Sequence, residues 1–81
     1  MSNTATDQVT IYAEAARQAL DALVTQRERL EQRLAREAFD AKHADHQSSR
    51  QAAASRYKQA SELHDQLSDA IEAIETALLA N

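Results

Sequence analysis

Val9, Ala13, Ala16, Leu20, Leu23, Leu30 and Leu34 recur along the first half of the chain in alternating steps of four and three, and Arg27 fills the one gap. Steps of that kind line up along one edge of an α-helix, as in a heptad seam. The second half repeats the device with Ala53, Tyr57, Ala60, Leu67, Ile71, Ile74 and Leu78, and here His64 fills the gap. The two series do not share a phase. Continuing the first would put equivalent positions at 44 and 51, whereas the second has its own at 53. A slip of two is neither of the insertions a continuous coiled coil absorbs. The pattern therefore predicts two helices with a break between them.

The break belongs in His43-Ala44-Asp45-His46-Gln47-Ser48-Ser49, a stretch with no large apolar residue. Ser48 or Ser49 is suited to cap a second helix, and Thr4-Ala5-Thr6-Asp7 resembles a capping box at the start of the first. The expected elements are a helix at about 6–43, a turn at about 44–48 and a helix at about 49–79, in a single domain. Folding the chain back there pairs seam positions whose numbers sum to 90 or 91: Leu34 with Tyr57, Leu30 with Ala60, Leu23 with Leu67, Leu20 with Ile71, Ala16 with Ile74, Ala13 with Leu78. Small residues meet large ones, as interdigitating layers require. The same register sets Arg27 opposite His64, so both interruptions fall in one layer. The fold class expected is all-α, an antiparallel two-helix hairpin.

The apolar stripe is wider than a seam. Tyr12, Ala19 and Val24 flank it on the first helix, and Leu63, Ala70 and Ala77 on the second. A face that wide belongs to a bundle, so two hairpins forming a four-helix bundle is the expected assembly, with Leu20, Leu23, Val24, Leu63, Leu67, Ile71 and Ile74 in its core. Charge sets the direction. Residues 27–58 hold eight Lys/Arg and five Asp/Glu, a balance of +3; the remaining residues hold Arg17 against eight acids, a balance of −7. An antiparallel homodimer brings each basic tip beside an acidic end, while a parallel one stacks like on like.

Composition narrows the function classes. Among 81 residues there is no Gly, no Pro and no Cys. Phosphate-cradling loops and nucleophile elbows rely on glycine, so that chemistry is not expected. Without Cys there is no disulfide framework and no thiolate metal site. A net charge of −4 gives no support to a dedicated nucleic-acid binder. The first residues lack the basic and apolar regions of a secretory signal, and no apolar run approaches a membrane span, so a cytoplasmic protein is expected. Seven Arg against two Lys, with abundant Ala, fits a bacterial or phage source.

Candidate chemistry is sparse. The Arg27/His64 layer reads either as a polar layer fixing register and oligomer state, or as an Arg that reaches the rim beside a space-filling His. Asp40, His43, Asp45 and His46 cluster like divalent-metal ligands, but their spacing matches no zinc pattern and the turn runs through them; neither a metal nor a cofactor is expected. In the run from Arg27 to Glu37, Glu28, Glu31 and Glu37 are spaced to neutralise the basic residues along the helix. Arg50, Arg56 and Lys58 are less diluted and would carry RNA or an acidic protein surface. Ile11 and Phe39 fall off the seam at outward positions, as exposed interface anchors do. Long rods without loops offer no pocket to converge catalytic groups, so no enzyme is expected.

In its small and large layers the chain resembles the Rop-type plasmid copy-number regulators, a likeness of pattern rather than motif that transfers no functional residue. The function expected is a non-catalytic, dimeric interaction module that binds and regulates or inhibits another protein, as phage and mobile-element inhibitors do. One alternative is a Rop-like RNA binder using the basic tip. Another is a structural or secretion co-chaperone coiled-coil module.

Overall fold

The computed structural model describes residues 4–80, with side chains from 9 to 80. Two helices account for nearly all of it: α1 spans Thr4–His43 and α2 spans Gln47–Ala80. They pack against each other as a hairpin measuring 70 × 15 × 14 Å. The radius of gyration, 18.9 Å, exceeds the roughly 12 Å of a compact domain of this length. The molecule is a rod two helices wide.

Helix is the state these residues prefer. Ala, Leu, Gln, Glu and Arg dominate both segments, and neither helix contains Gly or Pro to interrupt its hydrogen-bond ladder. What holds the two together is the seam. Leu30, Ala53, Ala60 and Ile71 are buried, and Leu20, Leu23, Leu34, Leu67, Ile74 and Leu78 are half-buried. Tyr57 stays exposed, lying beside Ala54 and facing Ala38, Ala41 and Lys42 of α1. Of the flanking residues, Val24 and Ala70 are half-buried, whereas Tyr12, Ala19, Leu63 and Ala77 are exposed. Two helices cannot cover more than one stripe of each other.

The turn is shorter than the sequence suggests. Only Ala44, Asp45 and His46 lie between the helices, so α2 starts two residues before Ser49. The cap is not a serine. The Arg50 N–H donates to the carbonyl of His46 at 3.0 Å, which makes His46 the entry residue and places Ser48 and Ser49 inside the first turn. At the other side, the Ala44 N–H donates to the Asp40 carbonyl at 3.0 Å, extending the ladder of α1 by one bond. Among the carbonyls that follow without a donor from α1 itself, that of Ala44 accepts from the Arg50 guanidinium at 2.7 Å. No described residue has a positive φ, so this turn needs no glycine. At the opposite end α1 already includes Thr4, two residues before the expected start; the capping contact expected at Thr4–Asp7 lies outside the described side chains.

Candidate interaction surfaces

Four features of the hairpin surface could serve a partner. The first is a polar site near the turn. Continuing the four-three alternation past Leu34 lands on Glu37, which is buried at a position a seam normally gives to an apolar side chain. Its carboxylate is not neutralised along its own helix, as the sequence suggested. Instead the Arg56 Nε–H reaches across from α2 and donates to Oε1 at 3.1 Å and Oε2 at 3.0 Å. The Glu37 side chain is 10% exposed and that of Arg56 45% exposed, so this pair is only partly screened by water. Glu31 also reaches across: its Oε1 lies 3.9 Å from His64 Nε2, a contact that is ionic when His64 is protonated.

That second contact redraws the Arg27/His64 layer. Arg27 and His64 are both half-buried. The ion-pairing neighbour of His64 is Glu31, one turn along from Arg27. Nothing in the layer is stranded, since no buried side-chain nitrogen or oxygen among the described residues lacks a partner.

The second feature, the basic residues near the turn, is largely occupied within the hairpin. Arg56 is held by Glu37 and Arg50 by the Ala44 carbonyl, leaving Lys58 exposed on the outer side of α2. An RNA stripe built from these three would have to break two internal contacts. Asp40, His43, Asp45 and His46 spread over the end of α1 and the turn, and no three His, Asp or Glu among the described residues gather as a metal-holding group.

The third feature is Phe39. It points away from the seam, is 63% exposed and tilts at 47° over the ring of His43 with centroids 4.6 Å apart. One turn of helix separates the two rings, and the contact leaves Phe39 uncovered. Ile11 is likewise exposed, near the other end of α1.

The fourth is a groove at the open end. Val9, Tyr12, Ala13 and Ala16 of α1 and Ile74, Ala77 and Leu78 of α2 line a cleft of about 330 Å³. It exists because Ala13 and Ala16 are too short to fill the seam, which leaves Ile74 and Leu78 half-buried at its floor. Tyr12 and Ala77 flank the seam, and the groove shows that they border the same side of the hairpin. Glu37 was the residue missed, although the seam, carried one step further, pointed to it.

No helix among the described residues is long and apolar enough to cross a membrane. Compared with known proteins, the chain matches no family model, no curated relative and no solved structure.

Proposed function

We propose that this chain is a small, non-catalytic protein-interaction module of the cytoplasm, a hairpin that pairs with itself and regulates or inhibits another protein by binding it. The observation that carries this reading is Phe39. A large aromatic ring, exposed, directed away from the hairpin's own seam and in contact with His43, contributes little to folding. Aromatic anchors of this kind supply a large share of the energy of protein interfaces, because little side-chain entropy is lost on binding. Ile11 adds a second anchor on the same helix. The RNA-binding alternative draws less support, since Arg50 and Arg56 are engaged inside the hairpin.

The test is retention of a protein from the native host lysate on the immobilised chain, with wild type and Phe39→Ala compared side by side. A protein held by wild type and lost from Phe39→Ala, with helicity unchanged, is the expected result. Identical retention by both would remove Phe39 from the account.

A further inference from the structure

Tyr12, Ala19, Gln26 and Arg33 each come directly before a seam residue of α1, one heptad apart. On α2 the equivalent row is Arg56, Leu63, Ala70 and Ala77. In an antiparallel pair these two rows run along the same side, and the open-end groove, bordered by Tyr12 from one and Ala77 from the other, shows that they do so here. From the open end to the turn, the face has an aromatic level (Tyr12, Ala77) and then a small one (Ala19, Ala70). A bulky level (Gln26, Leu63) and a cationic one (Arg33, Arg56) follow. Tyr12 is 70% exposed and Leu63 45% exposed. No Asp or Glu stands in either row.

We propose that this face is the interface with a second copy of the chain, docked antiparallel about a two-fold axis between the Ala19 and Gln26 levels. This specifies the self-pairing included in the proposed function and rests on that reading. A two-fold interface must complement itself when reversed. Reversed, the bulky Gln26/Leu63 level meets the small Ala19/Ala70 level twice, and the Arg33 cation, beside the Arg56 that Glu37 holds, meets the ring of Tyr12 twice, a favourable pairing. Parallel docking sets bulk on bulk and Arg on Arg. The longer-range field agrees, because reversal places the turn half, at +3, beside the open half, at −7.

The area also agrees. The chain exposes 6213 Å², against roughly 4,900 Å² for a compact folded protein of its 9.0 kDa mass. The excess of roughly 1,300 Å² is more than the ~800 Å² that each partner buries in a standard interface. A second hairpin laid along the face is large enough to cover it.

Sedimentation equilibrium at tens of micromolar, on wild type, Ala19→Arg and Gln32→Arg, tests the face. Ala19 is exposed, so the hairpin itself accommodates the longer side chain, while Gln32 lies exposed on the outer side of α1 and receives the same added charge. Wild type and Gln32→Arg are expected as dimers and Ala19→Arg as a monomer of unchanged helicity. A monomeric wild type defeats self-pairing altogether; a dimeric wild type whose Ala19→Arg variant is equally dimeric defeats this face alone. Direction is read separately from a spin label on Ser48→Cys, the only cysteine in that variant. Antiparallel docking places the two labels about 60 Å apart, and parallel docking within about 25 Å. The short distance would overturn the geometry.

Discussion

Glu37 holds a place where a heptad normally keeps an aliphatic side chain, and the hairpin tolerates it through Arg56. A buried carboxylate gains from a cation but loses its water, so such pairs stabilise less than the apolar residues they displace. Glu37→Leu should therefore raise the thermal midpoint. Arg56→Ala should lower stability by about 1–2 kcal/mol, because the carboxylate stays half-dehydrated without its donor. Thermal melts of the two variants should move in opposite directions; equal losses would mean that the pair acts as ordinary stabilising packing. Leu30→Ala should cost about 2–3 kcal/mol, toward the lower part of the usual range because a narrow hairpin can close around the gap. The periodicity contained Glu37, but not its partner. Arg56 lies off the seam, and the reach of a long side chain is not something spacing encodes.

The helices themselves were legible because period and phase are properties of the sequence, and the slip of two between the halves located the break. The ends were less so. Ser48 and Ser49 are favoured caps, yet the backbone carbonyl of His46 and the guanidinium of Arg50 settled the turn between them. Its charge and its place near the tip suggest a binding role for Arg50. Carrying the second seam back from Ala53 by one step reaches Arg50, a position that faces inward, and there it found a carbonyl instead. Arg50→Ala should cost about 1–2 kcal/mol, the worth of a hydrogen bond made by a charged donor, and should speed amide exchange at the start of α2. Unaltered exchange there would show that the clamp contributes nothing. The Arg27/His64 layer makes a further prediction. Changing both to Leu should raise the melting temperature while relaxing the choice of oligomeric state, read by sedimentation across the same concentrations.

Taken together, the hairpin leaves much of its apolar surface uncovered. A hairpin of this width buries only Leu30, Ala53, Ala60 and Ile71 among the apolar side chains described, and it leaves Val9, Tyr12, Leu63 and Leu79 in water. A chain this small has a marginal core of its own, and this one has no disulfide to add to it. The hairpin was readable in advance from the matching of small with large positions. Which side of it lay open was not, because that depends on where short residues such as Ala13 and Ala16 leave the seam unfilled.

If a second copy completes the core, unfolding and dissociation are one process, and mass action ties the melting temperature to concentration. The deciding experiment is helix melting followed by circular dichroism from about 1 to about 100 µM chain. The midpoint should climb steadily with concentration and fit a transition from folded dimer to unfolded monomer. A midpoint that stays put over that range, with full helicity at the dilute end, would show a hairpin that needs no twin.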